Sequence, residues 1–423
     1  MKNSFLLVLT ILLFAWTGCK KNAGDSDAAN NGSAGGGGNV RFGFLQGTVV
    51  SANGSTALPG VNVFVDDKGE IYLTQTNKDG KFTLKAPVGT HEVHYQAGHG
   101  QIFRSSSSHE VVEDETRQAG IQVLSQQAQL AYIAGQYDDI QTIIVDSLGY
   151  TATQLTVNDL STLSNLTPYQ AIFLNCGKSG SMDSAKYSHL RRFVEGGGSL
   201  YASDWAVNYL TGDGNFRLAN PNGGDSDHDL DHAYFPHHAA SPLAYKAMAP
   251  CPAGDVGGFI PDSILCSDRD GVSGWLNQCD ILAQDIQNAV GSNQLNVEYN
   301  LGSWEQIKNL STPKWEVLIR KQTTNGSNPL AVRLNYNNLN SNTGGGGGPN
   351  GNQVTICHNP NGPNPITITI NQNALQAHLN HGDLIGPCGG NAGKIIYTTF
   401  HNHPGGHTTP EIKTILQHFI LNL

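Results

Sequence analysis

The spacing of apolar residues changes character several times along this chain. Residues 5–16 form one unbroken apolar run behind Lys2, closed abruptly by Lys20 and Lys21. Residues 20–39 then carry no apolar pattern at all, only Asn, Gly, Ser, Ala and Asp ending in Gly35 to Gly38, a composition that cannot bury a core and predicts a flexible tether. From Phe42 to about Leu124 the period is two. Val61, Val63 and Val65 share a face after the turn Leu58-Pro59-Gly60, Asp79-Gly80 predicts a hairpin into Phe82 and Leu84, and Val88-Gly89 turns into His91, Val93 and Tyr95. Alternation punctuated by Pro-Gly and Asp-Gly predicts a small antiparallel β-sandwich over 42–125.

Past Gln129 short apolar strands alternate with helical spacing. Strands are expected at Leu130 to Ala134, Thr151 to Leu155, Ala171 to Asn175 and Ser199 to Ser203. Ile140, Ile143, Ile144 and Leu148 mark a helix between the first two, and Lys186 to Glu195 one before the last, which ends at Gly196-Gly197-Gly198. Strand–helix alternation predicts an α/β domain built on a parallel sheet, with any ligand at the carboxyl ends of the strands. Residues from Pro221 to about Pro313 are rich in Asp, His, Gly and Pro and predict loops and short helices over that edge. Apolar strands return at Trp315 to Arg320, Leu330 to Tyr336 and Lys394 to Phe400, and Glu411 to Leu421 has the period of an amphipathic helix. The last two of those strands read as halves of one hairpin, separated by a module between Gly344 to Gly348 and Gly389-Gly390. The expected organisation is therefore residues 1–18 as a signal peptide, 19–41 as a tether, 42–125 as the sandwich, 126–340 with 392–423 as the α/β domain, and 341–391 as an inserted Cys/His module.

Composition narrows the function. A net charge of -10 with only 14% charged residues excludes the basic surface that nucleic acid requires. Beyond Cys19 six cysteines remain, Cys176, Cys251, Cys266, Cys279, Cys357 and Cys388, an even number that suits disulfides in an oxidising compartment. Pairing among Cys251, Cys266 and Cys279 is expected, and Cys357 with Cys388 either forms a disulfide or shares a metal.

Three resemblances follow from these residues. Lys2, the run Phe5 to Trp16, and Thr17-Gly18 before Cys19 resemble a bacterial lipoprotein signal. That implies cleavage before Cys19, acylation of Cys19 and attachment to a membrane of the bacterial envelope, the outer membrane being expected. GTVVSANGSTALPGVNVFVDD and TQTNKDGKFTLKAPVGTHEVHY resemble the carboxypeptidase-regulatory-like domain, which implies a non-catalytic accessory sandwich. YIAGQYDDIQTIIVDSLGY, LTPYQAIFLNCG, FVEGGGSLYASDWA and IIYTTFHNHP resemble the class I glutamine-amidotransferase-like, flavodoxin-like fold. That family places its nucleophilic cysteine in a G-x-C-x-G elbow and a histidine in a late F-H-P-E motif. Here the elbow reads Ala202-Ser203-Asp204-Trp205-Ala206 and the late histidine is His401, so amidotransferase chemistry is expected to be lost. Ser203, Asp204 and His401 are the catalytic candidates that remain.

Two further clusters carry metal chemistry. Asp225, Asp227, Asp229 and Asp231 alternate with His228 and His232, offering oxygen ligands to calcium or forming a solvated acidic loop. In the insert Cys357, His358, His378, His381 and Cys388 are zinc candidates; His378 and His381 are three apart and share a helix face. A Cys357–Cys388 disulfide stapling a module too small for its own core is the alternative. The expectation is a non-catalytic, lipid-anchored lipoprotein that presents an α/β domain to a glycan or other envelope ligand. The alternative is a metal-dependent hydrolase using Asp204, His401 and the Asp/His loop 225–238.

Overall fold

The structure is a computed structural model, and it describes residues 40–68, 70–98, 102–177, 180–211, 265–267, 274–299, 306–309, 315–323, 326–335, 353–358, 366–371, 374–375, 378, 383–385, 393–403 and 408–423. Residues 1–39, which carry the expected signal peptide and all but the last two residues of the expected tether, and the Asp/His loop 225–238 therefore lie outside the described residues. No described helix is long and apolar enough to cross a membrane.

Seven strands make the sandwich: β1 (Phe42–Val50), β2 (Asn62–Asp67), β3 (Glu70–Gln75), β4 (Lys81–Pro87), β5 (Gly89–Gln96), β6 (Arg104–Val111) and β7 (Thr116–Val123). They form two sheets, in the orders β4-β1-β7 and β3-β2-β5-β6. The period-two residues Val63, Val65, Leu84, Val93 and Tyr95 are buried between them, and each such side chain removed from water contributes roughly 1.5–3 kcal/mol. Two details differ from the sequence reading. The Asp79-Gly80 turn does not close a hairpin, because β3 pairs with β2 and β4 with β1, so the turn carries the chain from one sheet to the other. Gly80 makes this crossing at φ +70°, where a Cβ would stand 2.7 Å from the Val49 carbonyl oxygen. The sandwich is also not wholly antiparallel: β1 and β7 run parallel, from Phe44 opposite Thr116 to Val50 opposite Val123. The chain between them visits the other sheet, so β7 enters from the same end as β1.

The α/β part begins with β8 (Gln129–Ile133) and α1 (Ile140–Thr142), which continues as a π-helical turn, Ile143–Ser147. Then come β9 (Thr153–Leu155), β10 (Tyr169–Leu174), α2 (Ser184–Glu195), β11 (Ser199–Ser203) and α3 (Asn208–Thr211). After it lie β12 (Leu265–Ser267), β13 (Gly274–Ile281), α4 (Gln284–Val290), β14 (Gln294–Tyr299), β15 (Gln306–Asn309), β16 (Trp315–Thr323) and β17 (Gly326–Asn335). The insert contributes β18 (Gln353–His358), β19 (Ile366–Asn371) and β20 (Leu384–Ile385), and the chain closes with β21 (Lys394–Thr398) and α5 (Pro410–Asn422).

Nine of these strands form one mixed sheet, ordered β14-β13-β16-β17-β21-β11-β10-β8-β9. Its parallel half, β9-β8-β10-β11-β21, reads 2-1-3-4-5 in chain order, an order of doubly wound sheets whose ligand crevice opens where the order reverses, here between β8 and β10. Its other half is antiparallel, and β17 pairs with β21 from Ala331 opposite Thr398 to Asn335 opposite Lys394, as the hairpin reading requires. Strands β12 to β15 replace the loops expected in that stretch. Their residues, such as GWLNQCDI in β13, alternate poorly because a bulge at Gln278, φ +56°, breaks the period.

The two faces of the sheet feed two cores. Leu130, Phe173, Tyr201 and Ile396 join α1, α5 and the sandwich interior in one apolar cluster, while Ile133, Ile172, Leu200 and Tyr397 face α2. The sandwich is therefore welded to the sheet rather than strung beside it. Helix α5 shows why: Pro410 pre-sets the first turn, the Thr409 hydroxyl accepts from the Ile412 N–H at 3.2 Å, and Ile412, Ile415, Leu416, Phe419 and Ile420 form one buried stripe.

Candidate functional site

Strands β8, β10, β11 and β21 lie side by side and parallel, so the residues that follow each of them meet at one edge. Asp138 follows β8, Cys176 follows β10, Ser203 and Asp204 close β11, and His401 and Asn402 follow β21. All six are buried. The Cys176 thiol donates to Asp204 Oδ2 at 3.3 Å, and His401 Nε2 stands 3.7 Å from the same oxygen. Behind them the Cys176 N–H donates to Ser203 Oγ at 3.1 Å, Ser203 Oγ donates to Asp138 Oδ2, and the Asn402 N–H donates to Asp138 Oδ1 at 3.2 Å. Ser203 is thus held between a backbone amide and a carboxylate, and it supports the thiol's position.

Asp204 occupies the turn from β11 into a short 3-10 helix at φ +44°, the left-handed region that costs an L residue roughly 1–2 kcal/mol. A sharp, strained turn after a buried parallel strand is the geometry of a nucleophile elbow. Here the elbow presents a carboxylate. The thiol comes from the adjacent strand instead, held close because Gly135 after β8 lets the Cys176 carbonyl approach: a Cβ there would stand 1.8 Å from that oxygen.

The electrostatics oppose a free thiolate. Burial pushes the Cys176 thiol well above its ordinary value, and the neighbouring Asp204 and Asp138 charges push the same way. Burial also raises the Asp138 carboxyl, against the opposing pull of His401 and the hydrogen bonds from Ser203, Asp139 and Asn402. A nucleophilic cysteine needs a depressed pKa, so this thiol is a proton donor to Asp204. A divalent cation would reverse that balance, since a coordinating thiol is deprotonated outright. Donor atoms of Cys176, Asp204 and His401 all lie within 4.8 Å of one another. His401 Nδ1 is buried and finds no protein hydrogen-bond partner.

Among the residues named from sequence, Ser203, Asp204 and His401 are brought together. Cys176, counted there among disulfide cysteines, is a free buried thiol in the site, and Cys279 is also free, its thiol on the Leu276 carbonyl at 3.3 Å, so neither takes part in a disulfide. Sequence reasoning missed Cys176 and Asp138. Their signal was positional: each lies just beyond a short apolar strand, in FLNC and in YIAGQYD. Asp225, Asp227, Asp229, Asp231, His381 and Cys388 lie outside the described residues. In the insert Cys357 is disulfide-bonded, which takes its sulfur out of any metal donor set. His358 and His378 are together there, joined by Asp383, a residue not singled out beforehand.

No protein-family model and no curated protein matches this chain. Solved structures resemble it only distantly. A ThuA-like protein from Bacteroides uniformis is 8% identical with a TM-score of 0.35, covering 69% of this chain and 89% of its own. The TIE protein of Bacillus anthracis is 17% identical with a TM-score of 0.18, covering 23% and 20%. The 5-hydroxyisourate hydrolase of Klebsiella pneumoniae is 14% identical with a TM-score of 0.16, covering 20% and 96%.

Proposed function

We propose that the α/β domain holds a divalent transition-metal ion, zinc by its donor chemistry, on Cys176, Asp204 and His401, within an exported protein anchored through acylated Cys19. The observation that carries this reading is the spacing of the donors. Zinc takes sulfur at about 2.3 Å and nitrogen or oxygen at about 2.0–2.2 Å, so the edges of its tetrahedron run about 3.3–3.6 Å. The thiol–carboxylate and carboxylate–imidazole separations, 3.3 Å and 3.7 Å, lie within a few tenths of an ångström of those edges. Three protein donors leave one zinc position unfilled by the chain, and their burial keeps from it the bulk water that a hydrolytic centre needs. This supports a binding role, with a glycan or other envelope component as the ligand class, over nucleophilic or hydrolytic turnover. Placement of the site at the strand ends nearest the order reversal agrees with where doubly wound sheets bind ligands.

The test is metal stoichiometry on the purified full chain. Cobalt substitution is expected to give a thiolate-to-cobalt charge-transfer band, and Cys176→Ser or Asp204→Asn to lose that band with one equivalent of bound zinc. If wild type and variants bind the same zinc and none shows the band, the reading is wrong.

A further inference from the structure

A second cluster lies in the insert, away from the strand ends. Strands β18, β19 and β20 form a three-stranded sheet in the order β19-β18-β20. Its apolar side, Ile356, Ile366, Ile368 and Ile370, packs against Phe64 of the sandwich, with Ile71 and Leu73 beside it. So small a core contributes little by itself. At the end of β18, His358 Nδ1 stands 2.7 Å from Asp383 Oδ2, and His378 Nδ1 stands 2.7 Å from the same oxygen. The side chains of Asp383 and His378 are each 1% exposed, and that of His358 is 21% exposed. The two rings stand edge to face at 5.8 Å.

For both contacts to be hydrogen bonds each imidazole must carry its proton on Nδ1. His378 is then left with a bare Nε2 that is buried and has no hydrogen-bond partner, and a buried polar atom left so costs about 1–3 kcal/mol. Three donor atoms of metal-ligand type, two of them nearly sealed from water, converge here within 4.8 Å of one another.

We propose that His358 Nδ1, His378 Nδ1 and Asp383 Oδ2 form a second divalent-metal site, one suited to a tetragonal ion such as Cu²⁺ and distinct from the zinc geometry of the α/β domain. Donors 2.7 Å apart on bonds of about 2.0–2.1 Å subtend about 80° at the ion. That angle suits the near-right-angle positions of a tetragonal nitrogen and oxygen site and is too small for a tetrahedron. Copper also stands at the top of the divalent affinity order for imidazole and carboxylate donors. The ion takes the place of the two Nδ1 protons; each ring gives its Nδ1 proton to water and takes one up at Nε2, so both imidazoles stay neutral and no proton is released on balance.

The experiment titrates Cu²⁺ alone into the full chain carrying Cys176→Ser, which keeps the α/β thiol out of the measurement. The reference chain is expected to bind one more equivalent of Cu²⁺ than the same chain with His358→Gln or His378→Gln, and to show two-nitrogen coupling in its electron paramagnetic resonance spectrum. A thiol count equal to that of the reference reports that the insert's disulfide is intact in each variant. Should His378→Gln disrupt the module, His358→Gln, on the partly exposed ring, carries the comparison. Equal copper stoichiometry in reference and His358→Gln, or a reference spectrum without two-nitrogen coupling, overturns the proposal and leaves the α/β zinc reading untouched.

Discussion

Replacing Asp204 separates backbone strain from side-chain chemistry at one position. At φ +44° this residue sits where an L side chain costs roughly 1–2 kcal/mol. Its carboxylate also accepts the Cys176 thiol, a bond to a charged group that contributes about 1.5–3 kcal/mol. Asp204→Ala removes the bond and keeps the strain, so a loss of about 2 kcal/mol is expected. Asp204→Gly removes the same bond and relieves the strain, but glycine's freedom in the unfolded chain takes back about 0.4–1 kcal/mol. The glycine variant should therefore exceed the alanine variant by about 0.5–1 kcal/mol. Asp204→Asn keeps an acceptor and tolerates the left-handed backbone, so it should fall between wild type and glycine. Urea denaturation followed by tryptophan fluorescence, with chelator present so that metal does not contribute, gives the order. An alanine variant as stable as the glycine variant would refute the strained elbow.

Four further outcomes follow. Burial alone would raise the Asp285 carboxyl, but the His418 hydrogen bond and charge and the Arg333 guanidinium outweigh it and hold the group below the usual carboxylate range. Such a group stabilises the fold above the unfolded carboxylate value of about 3.9 and loses that contribution as pH falls, so the stability gap between wild type and Asp285→Asn should narrow in acid urea titrations below about pH 4. Burial lowers the Lys394 ammonium to about 7; between there and the usual lysine value of about 10.4 the unfolded chain holds a proton the folded chain lacks, so stability rises with pH. Lys394→Met should abolish that rise, measured as urea midpoints at pH 7 and 9. Gly135→Ala would set a methyl against the Cys176 carbonyl and should cost the cobalt charge-transfer band even though no donor is changed. Cys19→Ser should move the protein from the membrane to the soluble fraction on cell fractionation, and a variant that stays membrane-bound would contradict acylation.

Regular periodicity made much of the fold legible. The β-rich sandwich, the strands at 129–133, 169–174 and 199–203, and the pairing of β17 with β21 across the insert all follow from runs whose apolar spacing is local and clean. Strands β12 to β15 were not legible, since β13 carries polar residues and a bulge that hide its period. Half of the candidate site was legible too. Asp204 and His401 stand in motif positions, whereas Cys176 and Asp138 become neighbours only once β8 and β10 pair, and Asp383 meets His358 only through β18 and β20. The even cysteine count misled for a related reason: parity says how many thiols can pair, but not that Cys176 folds as a free buried thiol against a carboxylate.

The parallel pairing of β1 with β7 has a mechanical meaning. A pull applied at Val40 enters the amino end of β1, while the body that begins at β8 holds the carboxyl end of β7. The load then runs along both strands in opposite senses, sliding one past the other. Every backbone pair from Phe44–Thr116 to Val50–Val123 must give way together, whereas an antiparallel partner held at the neighbouring end would peel one pair at a time. A chain pulled at its amino end against a load on the α/β domain is, in this geometry, fastened by a joint loaded in shear.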